Sequence, residues 1–89
     1  PDIAFVSCNG WDVERGITSP TEEKAALKRD LIANARRRVL LADSSKYGAW
    51  SLFNVAHLHS LTDIVTDRHL DEDAQQTLSQ LDATLTLAP

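Results

Sequence analysis

Val39-Leu40-Leu41-Ala42 followed by Asp43-Ser44-Ser45-Lys46 sets four apolar residues directly against four polar ones. The apolar half has no alternation of the kind a half-exposed strand shows. It therefore predicts a strand buried on both faces, as in a parallel sheet. Asp43 to Gly48 follows as a polar loop. Upstream, Ser19-Pro20-Thr21-Glu22 predicts a helix start, with Ser19 as cap, Pro20 at the first helical position and Glu22 completing a capping box. Ala26, Leu27, Leu31, Ile32 and Ala35 then form an apolar stripe at three- and four-residue spacing. Glu22 and Glu23 fall in the first turn, and Arg36-Arg37-Arg38 is expected in the last, as the helix dipole prefers. The alternative for the arginines is contact with an anion or a nucleic acid.

Further outward, Ile3-Ala4-Phe5-Val6 is a compact strand followed by a loop from Asn9 to Thr18. Leu52 to Val55 predicts a short strand, and Ile64-Val65-Thr66 another that ends at Asp67. A second helix starts near Asp71, which can cap it, with Ala74, Leu78 and Leu81 as its apolar face. Thr84 to Leu87 alternates threonine and leucine as a last strand. This order predicts an α/β fold, an open, mostly parallel, Rossmann-like sheet with flanking helices.

Ligands of such sheets bind beyond the carboxyl ends of the strands. That rule selects Cys8-Asn9-Gly10, Asp43-Ser44-Ser45-Lys46 and Asp67-Arg68. The middle loop is the most polar. Its serines offer hydroxyl donors, Lys46 a point charge for phosphate, and Asp43 an acceptor for sugar hydroxyls. The same residues also suit an ordinary turn in which Asp43 and the serines bond local backbone.

Composition bounds the function. The 89 residues are 43% hydrophobic and 25% charged, which fits one globular domain with a thin core. A net charge of −4 makes the chain a poor partner for a phosphate backbone. No apolar run approaches the ~20 residues of a membrane span, and no membrane partner is expected. The single cysteine, Cys8, excludes an internal disulfide and fits a reducing cytoplasm. The chain begins Pro1-Asp2-Ile3 and contains no methionine, so it is expected to be a piece of a longer protein.

Four segments together resemble one family. Val39 to Gly48 is similar to the "VVLADSSKFG" signature of the sensor domain of DeoR-type transcriptional repressors. Asp2 to Gly10 resembles that family's "D-x-A-F-x-G-A-N-G" segment, with Ser7 and Cys8 in place of its glycine and alanine. Gly16-Ile17-Thr18 with Glu22 to Arg29 resembles its "GLT…EEAAVKR", and Asp63 to Asp67 its "DTLITD". The resemblance implies the C-terminal part of a ribose-5-phosphate isomerase-like sensor domain over residues 1–89. The N-terminal helix-turn-helix that reads operator DNA would then lie outside the chain, as would the first strands of the fold. It further implies a sugar-phosphate effector, no cofactor, a homo-oligomer, and a pocket formed by Asn9, Gly10, Lys28, Asp43, Ser45 and Lys46. Lys28 either adds a second charge to that pocket or is solvated surface.

Two rival readings come from other classes. Pentose-phosphate isomerases have a similar "ADxSK" segment and also need a positioned base to move a proton between carbons. Aligned without a gap, their two aspartates fall on Val6 and Asn9, and their general-base glutamate falls on Lys28. The binding lysine is kept and the acid/base set is lost, so no enzyme activity is expected. The other rival is a structural or oligomerisation module that binds nothing. His57 and His59 could meet a metal from a strand, but no carboxylate or cysteine lies at matching spacing, so no metal is expected. Trp11 and Trp50 read as packing or interface residues.

Overall fold

The structure is a computed structural model and describes residues 2–89. Four parallel strands form the main sheet in the order β1 (Ile3–Val6), β4 (Arg37–Leu41), β6 (Asp63–Asp67) and β7 (Thr84–Ala88). The strands predicted at Ile3–Val6, Val39–Ala42 and Ile64–Thr66 are thus parallel neighbours. The predicted loop after β1 is instead largely a hairpin, β2 (Gly10–Asp12) and β3 (Gly16–Ser19). It is joined antiparallel by β5 (Phe53–Ala56) in a second, three-stranded sheet. Gly16 makes the hairpin possible. Its φ is +75°, and a Cβ there would lie 2.1 Å from the Ala56 carbonyl oxygen.

Helix α1 runs from Glu22 to Ala33, not from Ser19. Thr21 is the cap, its hydroxyl accepting from the Lys24 N–H at 3.2 Å. With Thr21 in that place the predicted Ser19–Glu22 capping box cannot form. Ser19 ends β3 as a buried residue, and Glu22 pairs with Arg29. The buried face of α1 is Ala25 and Ile32, while Ala26, Leu27 and Leu31 of the predicted stripe are exposed. Arg36, Arg37 and Arg38 lie beyond the helix, which has no basic residue in its last turn. Arg37 instead makes a bidentate pair with Asp63 on the neighbouring strand, with both N···O distances 3.0 Å. Arg38 donates to the backbone carbonyls of Ala35, Arg36 and Ser60.

Helix α2 (Glu72–Ser79) buries Ala74 and Leu78 as predicted. Asp71 occupies its cap position without a side-chain hydrogen bond. Strand order across the main sheet rises steadily with sequence, and right-handed crossovers then put every connection on one face. The core follows that rule. Val6, Leu40 and Ile64 of the sheet join Trp11, Ile17, Ala25, Ile32, Ala74 and Leu78 in a single cluster.

The opposite face corrects the expectation of strands buried on both sides. Ile3, Phe5 and Leu41 are exposed there, beside a buried Val39 that stands outside the cluster. No helix among the described residues is long and apolar enough to cross a membrane.

Candidate functional site

The carboxyl ends of β1, β4 and β6 lie side by side, and their loops are fastened to one another. After β4, Asp43 to Lys46 folds into a single turn of 3₁₀ helix, Ser44–Lys46. Every backbone donor of this turn is spent on the protein. The Ser44 N–H donates to Asp67 Oδ2 at 3.0 Å, and the Ser45 N–H to Asp43 Oδ1 at 3.1 Å. Lys46 N–H meets the Asp43 carbonyl and Tyr47 N–H the Ser44 carbonyl, each at 3.1 Å. The side chains are another matter. Neither the Ser45 hydroxyl nor the Lys46 ammonium has a hydrogen-bonding partner among the described residues, and both residues are exposed.

The loop after β1 reaches this turn through Trp11. Its indole N–H donates to the Asp43 carbonyl at 3.1 Å, and its own carbonyl accepts the Gly48 N–H at 2.8 Å. Trp11 is fully buried and meets Tyr47 edge to face at 4.8 Å. Gly10 is pressed against the same segment, where an added Cβ would stand 2.3 Å from the Ala49 carbonyl oxygen. The Thr18 hydroxyl completes the tie, donating to the Gly10 carbonyl and accepting from the Ser51 N–H, both at 2.9 Å. Asn9 is exposed at the tip, its N–H bonded to the Thr18 carbonyl at 3.3 Å.

Lys28 approaches from α1. Its ammonium lies 3.5 Å from the Ser19 hydroxyl and near the Cys8 thiol. Partial burial lowers the Lys28 pKa, with Lys24 adding to the effect and Cys8 opposing it. Burial pushes the Cys8 thiol up, against the opposing pull of the Gly10 N–H and Lys28. That leaves the thiol protonated and inert near neutral pH.

Asn9, Gly10, Asp43, Ser45 and Lys46 therefore stand on two interlocked strand-end loops, with Lys28 behind the first. Asp43 serves its own turn through one carboxylate oxygen. Asp67, absent from the expected pocket, takes the Ser44 N–H on one oxygen and the His69 N–H on the other, both at 3.0 Å. The Ser44 N–H is the main reason its pKa is held down, to about 2. The strand-end rule pointed at Asp67-Arg68 as a loop but gave no role to its carboxylate.

An open depression of about 430 Å³ lies beside the turn, lined by Asp12, Val13, Glu14, Tyr47, Gly48, Trp50 and Thr77. It contains none of the six expected residues. Two carboxylates and no cation line it, which suits a phosphate poorly. Arg15 already covers the Trp50 ring at 4.1 Å. His57 and His59 stack at 5.5 Å, both exposed, and no metal-binding group of three or more side chains occurs among the described residues.

The sequence model of the DeoR C-terminal sensor domain matches residues 1–68. This chain belongs to that family. It is 37% identical over 86 residues to an uncharacterised HTH-type transcriptional regulator of Haemophilus influenzae, covering 97% of this chain and 33% of the relative. Identity to the uncharacterised HTH-type regulator YgbI of Escherichia coli is 38% over 87 residues, 98% of this chain and 34% of the relative. The L-fucose operon activator of Haemophilus influenzae is 36% identical over 81 residues, 91% and 32% of the two chains. The DeoR sensor chain thus spans about a third of the length of the curated relatives it matches. These relatives are transcriptional regulators.

Proposed function

We propose that this DeoR sensor chain binds a phosphorylated sugar or polyol at the carboxyl ends of β1 and β4. Binding there modulates operator affinity in a DNA-binding regulator of sugar catabolism. One observation carries the reading. The Ser44–Lys46 turn is rigidly bonded through its backbone, yet its Ser45 hydroxyl and Lys46 ammonium have no hydrogen-bonding partner among the described residues. A fixed loop with unspent donors and a free cation is organised for an anionic, hydroxyl-bearing ligand. Lys46 takes the phosphate, Ser45 orients it, and Asn9 faces the sugar from the neighbouring loop. Gly10 lets the two loops close together, Lys28 adds positive charge behind Asn9, and the second oxygen of Asp43 accepts from a sugar hydroxyl.

The site does no chemistry. Val6, Asn9 and Lys28 stand where the similar isomerases carry the carboxylates of their acid/base set. The relatives' names include both an L-fucose operon activator and a putative aga operon transcriptional repressor; repression is our proposal for this chain. Homo-oligomerisation and a cytoplasmic location belong to the same proposal.

Calorimetry with a panel of pentose, hexose and polyol phosphates tests it. At least one should bind, and Lys46→Ala should weaken that binding roughly 10- to 150-fold, as loss of a charged hydrogen bond implies. Unchanged affinity in Lys46→Ala would remove the site from this loop.

A further inference from the structure

The Ser44–Lys46 turn is held from two sides, by Asp43 within its own loop and by Asp67 from the next strand. Asp67 is the more informative of the two. Its Oδ2 takes the Ser44 N–H and its Oδ1 the His69 N–H, so one carboxylate joins the loop after β4 to the loop after β6. A free carboxylate beside an anionic ligand would repel it. This one faces a backbone donor on each oxygen, which directs its charge into the protein.

We propose that Asp67 is the positioning residue of the phosphate-binding turn: it holds the Ser44 N–H, and thereby aims Ser45 and Lys46, without touching the ligand. The inference rests on the site reading above. Ser44 is the first residue of the turn, following Asp43 in extended backbone at ψ 139°. If its N–H is unbonded, the turn loses its backbone tie to Asp67 at the end of β6, and the residues that follow lose their fixed direction. An asparagine could accept from only one of the two donors and would present its own N–H₂ to the other. The carboxylate is therefore required, and its charge strengthens both bonds.

The experiment compares Asp67→Asn, Asp67→Asn with Ser44→Pro, and Lys46→Ala. Proline suits the first position of a turn and has no N–H to satisfy, so it replaces the service Asp67 performs. Two readings are taken: amide hydrogen exchange along Ser44, Ser45 and Lys46, and calorimetric affinity for glucose 6-phosphate, fructose 1-phosphate, ribose 5-phosphate and inorganic phosphate. Asp67→Asn should speed Ser44 exchange and weaken the tightest-binding probe by about tenfold, the lower end for a charged hydrogen bond. Ser44→Pro added to it should restore most of that affinity.

Unchanged Ser44 exchange in Asp67→Asn overturns the inference. So does unchanged affinity where Lys46→Ala has lost it. Failure of the proline to restore affinity would mean that Asp67 meets the ligand itself, which also overturns it. A Lys46→Ala variant that binds like the parent instead defeats the site reading, and Ser44 exchange still decides whether Asp67 fixes the turn.

Discussion

Asp67 is a carboxylate whose pKa is held down first by the Ser44 N–H, then by the Ser44 hydroxyl, with the His69 N–H and Asp43 adding less, and its linkage to pH has a definite sign. Its folded pKa of about 2 lies below the ordinary 3.8. The stability it contributes is fully present above the ordinary value and is lost as the pH falls through about 2. The Ser44–Lys46 turn should therefore stay ordered to about pH 3 and loosen below it, followed by the Ser44 amide signal. Loss of turn order between pH 6 and 4 would assign that order to some other group. Gly10 offers a second test at this scale. A Cβ 2.3 Å from the Ala49 carbonyl oxygen and 2.7 Å from its carbon meets backbone, which cannot swing aside. Gly10→Ala should cost about 1–3 kcal/mol in urea unfolding, the usual range for overpacking, and part the two strand-end loops. Gly48 is the control for space, since nothing stands within 4 Å of its missing Cβ, although its φ of +85° strains any replacement. The resemblance brought out Gly10 and Lys46 because motif residues are local. Asp67 was not legible as a partner, because the donor it serves is 23 residues away and only the folded sheet brings them together.

At the scale of elements, the start of α1 shows where local signals compete. Ser19-Pro20-Thr21 contains two possible caps, and sequence alone favoured the first because it places proline at the preferred helical position. The β2–β3 hairpin decides otherwise. Thr18 and Ser19 pair with Asn54 and Phe53 of β5, so the chain is still extended at Ser19 and turns only at Thr21. Thr21→Ala should therefore cost about 1 kcal/mol of stability by chemical denaturation, the usual value of a lost N-cap. An equal loss on Pro20→Ala with none on Thr21→Ala would restore the earlier start. The hairpin itself was hidden because Gly10-Trp11-Asp12 and Gly16-Ile17-Thr18 are too short to show a period. By contrast the β1, β4 and β6 runs were readable from continuous apolar character alone. The misread stripe on α1 has a related cause. Leu27 and Leu31 have helical spacing, but the helix turns its Ala25 and Ile32 edge toward β1, β3 and β5, and Arg29 donates to the Asn54 carbonyl to hold that rotation.

The whole molecule is two-layered, and this follows from strand order more than from composition. Because β1, β4, β6 and β7 succeed one another in one direction, all crossovers fall on one side of the sheet. Apolar strands in sequence imply two covered faces, yet a chain of this topology supplies cover for only one. Leu40 points into the cluster with no exposed surface, whereas Phe5, two strand positions from Ile3 on the other face, is 62% exposed. Equal hydrophobicity thus has unequal energetic weight. Leu40→Ala removes packed atoms and leaves a cavity among Val6, Ile64 and the helices, at a cost of about 2–5 kcal/mol. Phe5→Ser removes a ring that is still largely in water, on the edge strand β1, and should cost less than about 1 kcal/mol in the 89-residue chain. Urea unfolding of the two variants under the same conditions measures the contrast, with unchanged slope as the check that both retain the native fold. A Phe5→Ser cost as large as that of Leu40→Ala would show the outer face to be packed in this chain, and the single-sided core would have to be abandoned.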